Sequence, residues 1–197
     1  MIRVKCEQGS LEWIQARLGI PTASQFDRLI TPKTMKPSSA ADGYLHELVA
    51  EWLIGQPVGD WYTAWMERGR ELEERAVRWY EMQHDLDSEP IGFALADDGL
   101  SGCSPDRLVA EGGLEVKCPG AAAHVGLLLL LEDEPKPSKY YAQVQGSMLI
   151  TGRPWWDFLS YHPTLPPALV RYPRDDVFIQ KLAHELTGFT ARLMDAK

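Results

Sequence analysis

Two short apolar runs joined by a glycine pair restrict the folds open to this chain more than any other part of its sequence. The first run ends at Ala110, and Gly112-Gly113 is predicted to let the chain reverse direction. Apolar and polar residues then alternate over residues 114–118, so a strand there would place Glu115 and Lys117 on one face. The sequence therefore predicts a β-hairpin with one polar face.

The polar face of this hairpin has the residue types of a metal site. In an antiparallel pair Asp106 comes close to Glu115, and two neighbouring carboxylates repel each other unless a cation lies between them. Hard divalent cations such as Mg²⁺ take oxygen ligands. Lys117 would then orient a metal-bound water or help to deprotonate it, which is the chemistry of phosphodiester hydrolysis. The solvated face of an ordinary hairpin also explains these residues, so the pattern alone leaves both interpretations open.

The charge of the chain limits its partners without excluding a nuclease. The 197 residues are enough for one domain with a substantial core, and the net charge is −8. Such a charge argues against a protein that coats nucleic acid, because phosphates are neutralised by lysine and arginine. The charge is uneven, however, since residues 1–36 hold six basic against three acidic side chains. A local contact with DNA is therefore compatible with the composition.

The cysteines indicate a compartment and not a metal site. Cys6, Cys103 and Cys118 are widely spaced and form no C-x-x-C pair, so neither a zinc nor an iron–sulfur site is predicted. Free thiols are typical of a reducing cytoplasm. No signal peptide is recognised, and the apolar run at 127–131 is too short to cross a membrane. We therefore expect a cytoplasmic protein.

A predicted helix start near the beginning of the chain is suited to an anion. Thr22 and Gln25 have the spacing of a capping box, and the hydroxyl of Ser24 lies between them. The free N–H groups of such a helix start, with Arg17 just upstream, suit a phosphate. Taken alone, these residues are explained more simply by an ordinary capped helix beside a surface arginine.

Two polar residues at the edges of apolar stripes also have open interpretations. Glu73 lies on the predicted helix 64–83, and the residues three, four and seven positions later are apolar or aromatic. An unpaired carboxylate is costly there, so Glu73 either reaches water or points into a polar or metal site. Gln143 lies beside the stripe of the predicted helix 139–150, and is either a surface residue or a neighbour of a site on the adjoining sheet.

The remaining segments complete an α/β pattern. Helices are predicted near residues 7–18, 40–53, 64–83, 121–131, 139–150 and from about 175 onwards. Strands are predicted at 90–96, 100–109, 114–118, 155–161 and 168–172, of which the first three would form a meander. We therefore expect a single domain, residues 1–197, built on a central mixed β-sheet flanked by helices.

Five short segments together resemble a known family. They are Trp13 with residues 17–24, then residues 69–76, 103–106, 114–119 and 141–148. In this order they are similar to the phage lambda exonuclease family, also called the YqaJ-type viral recombinase nucleases, of the wider PD-(D/E)xK class. Together the segments extend over most of residues 10–165 and include both halves of the nuclease motif.

The resemblance implies a restriction-endonuclease-like α/β core and a metal-dependent exonuclease that acts on linear double-stranded DNA. Such an enzyme degrades the 5′-ended strand to 5′-mononucleotides and leaves a 3′ single strand for recombination with a single-strand annealing protein. Family members are typically homotrimeric rings threaded by DNA, with two Mg²⁺ per active site and Mn²⁺ as a substitute. The resemblance also implies a phage or prophage gene expressed in a bacterial host. A ring would gather the sparse basic residues on its inner wall.

The resemblance also assigns roles to individual residues. Asp106, Glu115 and the main-chain carbonyl of Val116 resemble the metal ligands. Lys117 resembles the residue that positions and activates the attacking water, while Glu73 and Gln143 resemble the helix glutamate and glutamine of the same site. The residues that resemble the 5′-phosphate pocket are Arg17, Thr22, Ser24 and Ser104. Gln145 lies one position past the pattern and is expected to face elsewhere.

Two other functions fit parts of the sequence. A restriction- or repair-type endonuclease on the same fold would share the hairpin, but would have no reason to keep Arg17, Thr22 and Ser24 together. A protein that only binds DNA ends or a recombination partner would be expected to have lost a catalytic carboxylate or the lysine, and all of them are present.

Overall fold

Ten strands and six α-helices make up the part of the chain that the computed structural model describes, residues 1–58, 64–133 and 138–197. In chain order they are β1 (Ile2–Val4), α1 (Leu11–Arg17), a 3₁₀ helix (Ala23–Arg28), β2 (Ile30–Thr31), β3 (Lys36–Pro37), α2 (Ala41–Ile54), α3 (Ala64–His84), β4 (Glu89–Pro90), β5 (Phe93–Leu95), β6 (Gly102–Cys103), β7 (Arg107–Val109), β8 (Gly112–Lys117), α4 (Ala121–Asp133), α5 (Ser138–Thr151), β9 (Trp155–Ser160), β10 (Ala168–Pro173) and α6 (Asp176–Ala196). No helix in these ranges has both the length and the apolar character needed to span a membrane.

The central sheet has the strand order β10-β9-β8-β7-β4. Strands β8 and β9 are parallel, whereas the other neighbours in this sheet are antiparallel. A parallel pair needs a long crossover, and helices α4 and α5 provide it. The predicted mixed sheet flanked by helices is therefore confirmed.

The predicted three-strand meander is wrong. Strands β5 and β6 leave the central sheet and pair with β1, which was not predicted, in a separate three-stranded sheet. The chain departs at Gly92, where a Cβ would come within 2.0 Å of the carbonyl oxygen of Cys6. The return occurs at Pro105, which has no N–H to donate to a ladder. These two interruptions divide what the hydrophobic pattern presents as continuous strands.

Different helices cover the two faces of the central sheet. On one face Leu114 and Val116 of β8 pack against α3, in a cluster with Ala76, Val77 and Tyr80. On the other face α5, α6 and the 3₁₀ helix form the larger core. Its fully buried members include Phe26, Met148, Trp156, Phe158 and Phe178. The strand β8 thus has an apolar face under α3, and its polar residues face the side of α5.

The reversal between β7 and β8 occurs at Ala110-Glu111 and not at the glycine pair. Ala110 adopts the left-handed region, with φ of +44°. Gly112 and Gly113 already belong to β8, where they are paired with Val109 and Leu108. They are small because two tryptophans of β9 lie across them: a Cβ would come within 2.2 Å of the Trp155 ring at position 112 and within 2.4 Å of the Trp156 ring at position 113.

The predicted capping box at residues 22–25 does not form. The helix there is a six-residue 3₁₀ helix, and the Thr22 side chain makes no capping hydrogen bond. Instead the Gln25 N–H donates to the main-chain oxygen of Thr22 at 2.8 Å. The Thr22 hydroxyl lies 3.3 Å from that of Ser24, and the main chain of Thr22 bridges to Gly102. The cap is absent because the Gln25 N–H, which the Thr22 hydroxyl would have to accept from, is already bonded to the main-chain oxygen of Thr22.

Candidate active site

The polar face of β8 holds an ion pair that is mostly hidden from water. Glu115 is 2% exposed, and Lys117 Nζ donates to Glu115 Oε1 at 2.5 Å. The alternation predicted from the sequence explains this pair, because residues two apart on a strand share a face. Asp106 precedes β7, and its Oδ2 accepts a hydrogen bond of 2.6 Å from the main-chain N–H of Val116. The carboxyl group of Asp106 is thereby fixed against β8.

Gln143 of α5 completes this group. Its Nε2 donates to Glu115 Oε1 at 2.6 Å, so the same oxygen receives hydrogen bonds from Gln143 and Lys117. The other carboxylate oxygen, Glu115 Oε2, is buried and has no hydrogen-bond donor among the described residues. We call Asp106, Glu115, Lys117 and Gln143 the carboxylate cluster. One buried oxygen of the cluster is therefore available to an added ligand.

The pKa values of Asp106 and Lys117 are both shifted by burial and by their charged neighbours. Burial raises the pKa of Asp106 well above its usual range, the charge of Glu115 raises it further, and Glu73 adds to the effect. The Lys117 ammonium and the Val116 N–H act in the opposite direction. Burial by itself lowers the pKa of Lys117, but Glu115 and Asp106 outweigh burial, and that pKa is raised. The site thus holds more negative charge than one lysine offsets, which favours a bound cation.

A cleft of about 650 Å³ opens beside the carboxylate cluster. Glu73 of α3 lines this cleft together with Val116 and Lys117. The pKa of Cys118 is raised to about 12, mainly by burial and also by the charge of Glu73. Glu73 therefore lies close to the end of β8. It lies beside the carboxylate cluster and is also partly exposed in the cleft. The wall across the cleft consists of residues 6–9, Trp13 and residues 90–92.

The donor set of the carboxylate cluster fits a hard divalent cation. The described residues contain no group of three or more His, Cys, Asp or Glu side chains placed to hold a metal ion. The oxygens in place are instead those of Asp106 and Glu115, with the Val116 carbonyl next to them along β8. An all-oxygen set suits Mg²⁺ or Mn²⁺. The buried Glu115 Oε2, which has no donor in the described part of the chain, supports this fit.

The four residues predicted to hold a phosphate form a looser group, which we call the arginine pocket: Arg17, Thr22, Ser24 and Ser104. The Arg17 guanidinium carbon lies 4.0 Å from the centre of the Trp13 ring, and Trp13 Nε1 donates to Ser104 Oγ at 2.9 Å. Ser104 precedes Asp106 by two residues. Trp13 therefore connects the arginine to the loop that carries the first carboxylate.

Arg17 and Thr22 line a smaller cavity of about 200 Å³. Ser24 and Ser104 are not among the residues that line it, and Ser24 joins the group through the Thr22 hydroxyl. Tyr44 of α2 closes the cavity, and its hydroxyl accepts a hydrogen bond of 3.0 Å from the Thr22 N–H. The structure therefore brings the four predicted residues into one region without direct contacts among all of them.

A buried carboxylate also borders the arginine pocket. Glu51 of α2 is 7% exposed, lines the same cavity as Arg17, and accepts a hydrogen bond of 3.2 Å from the Gly19 N–H. Burial lowers the pKa of Arg17 to about 10, against the opposing effects of Tyr44 and Glu51. Arg17 therefore remains a cation at neutral pH. The sequence offered a weak signal for this arrangement, because Tyr44 and Glu51 lie seven residues apart on one helical face.

Two glutamines have structural roles. Gln8 was missed by the sequence analysis, yet its Nε2 donates to the carbonyls of Ile91 at 2.9 Å and Pro105 at 2.8 Å. It thereby ties the wall of the cleft to the loop before Asp106. Gln145 faces away from the carboxylate cluster, as expected. It is fully buried and bonds to Pro173 and Asp175, at 2.9 Å each, at the start of α6.

Comparisons with known proteins agree with this geometry. The sequence model described as the YqaJ-like viral recombinase domain matches residues 12–154. The chain is similar to an alkaline exonuclease from Laribacter hongkongensis, LHK-Exo, with 32% identity, a TM-score of 0.81, and coverage of 94% of this chain and 93% of that one. The structure of LHK-Exo in complex with dAMP gives 33% identity, a TM-score of 0.82 and the same coverage.

A third similarity concerns the fold alone. A phage related exonuclease from Haemophilus somnus 129PT has 15% identity to this chain, with a TM-score of 0.73 and coverage of 89% of this chain and 95% of that one. None of the curated proteins compared with the sequence matches it.

Proposed function

Because the chain belongs to the YqaJ-like viral recombinase family, we propose that it is a phage-type exonuclease that acts on linear double-stranded DNA. The observation that carries the proposal is the convergence of Asp106, Glu115 and Lys117 with Gln143 on one buried polar face. The similarity to an alkaline exonuclease over nearly the whole chain supports the same conclusion. We further propose that the enzyme degrades the 5′-ended strand and releases 5′-mononucleotides. The dAMP complex of LHK-Exo supports this product.

The carboxylate cluster would hold Mg²⁺, or Mn²⁺ in its place, through Asp106, Glu115 and the carbonyl of Val116. Two such cations would lower the pKa of the attacking water and stabilise the charge on the leaving oxygen. Lys117 is held against Glu115, and its ammonium would orient the water that attacks the phosphate. Gln143 fixes the rotation of the Glu115 carboxylate and leaves Oε2 as the ligand oxygen. Glu73 adds a carboxylate at the rim of the cleft.

The arginine pocket would bind the terminal 5′-phosphate. Arg17 supplies the charge, and the hydroxyls of Thr22, Ser24 and Ser104 supply hydrogen-bond donors. A terminal phosphate held here would fix which phosphodiester reaches the carboxylate cluster, which is a positioning effect. Trp13, which contacts both Arg17 and Ser104, supports the coupling of the two regions. A terminal phosphate bound in this way would give the proposed reaction its 5′ polarity.

We also propose that residues 1–197 form one nuclease domain that assembles as a homotrimeric ring in the bacterial cytoplasm. Helix α4 supports an interface, since Val125, Leu129 and Leu130 are exposed on it. The resulting 3′ single strand would be passed to a single-strand annealing protein. The mass of the protein in solution tests the ring, and a monomer at working concentrations would contradict it.

One assay tests the proposed function. Linear duplex with a 5′-phosphate, linear duplex with a 5′-hydroxyl and a closed circle are each incubated with Mg²⁺ or with a chelator. We expect nucleotides to be released from the linear duplexes in Mg²⁺ alone, faster from the phosphorylated end. Cutting of the closed circle would instead indicate an endonuclease. Binding of DNA ends without any Mg²⁺-dependent release would indicate a protein that is not an enzyme.

A further inference from the structure

A second cation lines the cleft beside the carboxylate cluster. Arg107 is the first residue of β7, directly after Asp106, and it lines the cleft together with Glu73 and Lys117. Its side chain is half-buried. Consecutive residues of a strand point to opposite faces, and Arg107 is in register with Leu114, on the face that packs under α3. Arg107 therefore lies on the Glu73 side of the sheet, whereas Asp106 lies on the Glu115 side.

Among the described side chains Arg107 has no acidic partner, unlike several other cations of the chain. Lys117 is paired with Glu115, Arg171 with Asp157 and Arg28 with Glu47. The Arg107 side chain donates one hydrogen bond of 2.7 Å, from Nη1 to the main-chain oxygen of Asp106. Among the side chains described in residues 1–58, 71–130 and 140–197, no carboxylate forms an ion pair with it. This holds even though Glu7, Glu73 and Glu74 line the same cleft.

The hydrogen bond to the Asp106 carbonyl fixes the guanidinium and leaves most of it free. An arginine has five N–H donors in a planar fork, and one of them is used here. Strands β8 and β4 flank the residue, with Leu114 and Pro90 in register on either side. Such a group is organised before any ligand arrives, and its fork matches a phosphate in two-point contact.

We propose that Arg107 binds a DNA backbone phosphate next to the scissile one. This inference rests on the proposed function, since it needs DNA in the cleft. The scissile phosphate would lie at the carboxylate cluster, on the other face of the sheet from Arg107. Arg107 would therefore contact a neighbouring phosphate of the same DNA strand. The contact would be made with the substrate before and during cleavage, and Arg107 is a substrate-binding residue with no role in activating water.

The salt dependence of DNA binding measures this contact directly. Each phosphate neutralised by a protein cation contributes about 0.9 to the slope of log K against log salt concentration on duplex DNA. We expect Arg107→Gln to reduce that slope by about 0.9, measured on linear 5′-phosphorylated duplex in chelator so that no DNA is cut. In Mg²⁺ the same variant should raise KM about tenfold and leave kcat within about twofold of the wild type, because uniform binding is lost.

Two further variants separate charge from structure. Arg107→Lys keeps a cation at the same place and should keep the wild-type salt slope, although it loses the two-point contact. Arg192→Gln is the matched control, because Arg192 is an exposed arginine of α6 that pairs with Asp42 at a separate groove. It should keep both the slope and KM.

The outcomes distinguish this inference from the proposed function. A wild-type protein that releases no nucleotides from linear duplex in Mg²⁺ would refute the proposed function, and the inference with it. A wild-type protein that does so, with an unchanged salt slope in Arg107→Gln, would overturn the inference alone. If Arg107→Gln lowered kcat and thermal stability but left the salt slope of DNA binding unchanged, the inference would also be overturned. Arg107 would then only support the main chain of Asp106.

Discussion

The carboxylate cluster and the arginine pocket are assembled in opposite ways. In the carboxylate cluster, side chains bond directly to one another: Lys117 and Gln143 both donate to Glu115. In the arginine pocket the predicted residues meet mostly through others. Trp13 links Arg17 to Ser104, and Tyr44 holds the main chain of Thr22.

This difference separates a site for chemistry from a site for recognition. A cluster of direct bonds fixes its atoms closely, which suits the positioning of a water and a phosphate. A pocket of indirect contacts leaves room for the group that it binds, and its selectivity depends on residues outside the motif. We therefore expect changes in the carboxylate cluster to act on the rate of cutting, and changes in the arginine pocket to act on the choice of DNA end.

The largest effect is expected from Lys117→Ala. Loss of the group that activates the water should lower the cleavage rate by ~10²–10⁴-fold, as measured by nucleotide release from linear duplex. DNA binding and the circular dichroism spectrum should be retained, because Gln143 still holds Glu115. If the variant does not fold, the lysine is structural, and the contrast between the two regions fails.

Arg17→Ala should give a smaller and more selective effect. A hydrogen bond to a charged group contributes about 1.5–3 kcal/mol, so digestion of 5′-phosphorylated ends should slow by roughly 10- to 100-fold. Duplex with 5′-hydroxyl ends, assayed in parallel, should be digested at nearly the wild-type rate. Equal slowing on both kinds of end would mean that the arginine pocket does not recognise the end.

Two glutamines on α5 sharpen the comparison within a single helix. Gln143→Ala frees Glu115 to rotate and should lower the cleavage rate about tenfold, the equivalent of one net hydrogen bond of about 1.4 kcal/mol, with little change in thermal stability. Gln145→Ala should instead lower stability and leave the cleavage rate unchanged, because it removes the buried hydrogen bonds to Pro173 and Asp175. We expect a loss of about 1–3 kcal/mol in the free energy of unfolding at unchanged activity per folded molecule. If both variants changed the cleavage rate and the stability equally, the assignment of Gln143 to the active site and of Gln145 to the structural core would be refuted.

The smallest expected effect concerns Trp13→Phe. Phenylalanine keeps an aromatic ring for Arg17 but loses the N–H that donates to Ser104. One hydrogen bond of about 1 kcal/mol corresponds to a loss of about fivefold or less in the preference for 5′-phosphorylated over 5′-hydroxyl ends. The ratio of the two digestion rates measures this preference, and Trp13→Phe with an unchanged ratio would exclude a connecting role for Trp13.

The sequence predicted the carboxylate cluster better than the arginine pocket, for a physical reason. Glu115 and Lys117 share a face through strand periodicity, which is local and readable from two residues. The pocket instead depends on contacts between distant parts of the chain, such as Thr22 with Tyr44, which no local pattern contains. The capping box was wrong because a short 3₁₀ helix forms there, in which the Gln25 N–H donates to the main-chain oxygen of Thr22 and not to its hydroxyl. The helices, with long periodic patterns, were placed to within a few residues.

The arrangement of the sheets was less accessible to prediction. The hydrophobic pattern runs through residues 90–109 without revealing that β5 and β6 leave the central sheet for β1. Alternation reports which face of a strand is buried, and it does not report which strand lies alongside. The glycine pair was misplaced for the same reason, since its partners Trp155 and Trp156 lie more than forty positions later.

The tryptophan contacts of Gly112 and Gly113 also determine which positions of the hairpin can accept substitutions during evolution. At these two positions inside a strand, any side chain would have to displace an indole ring, so a saturation library selected for folding would keep almost only glycine there. The exposed turn at Ala110-Glu111 would accept many residues, and glycine or asparagine at position 110 would relieve its left-handed backbone. The hairpin thus has its strictest positions within the strand and its most permissive ones in the turn, the reverse of what a glycine-rich reversal suggests.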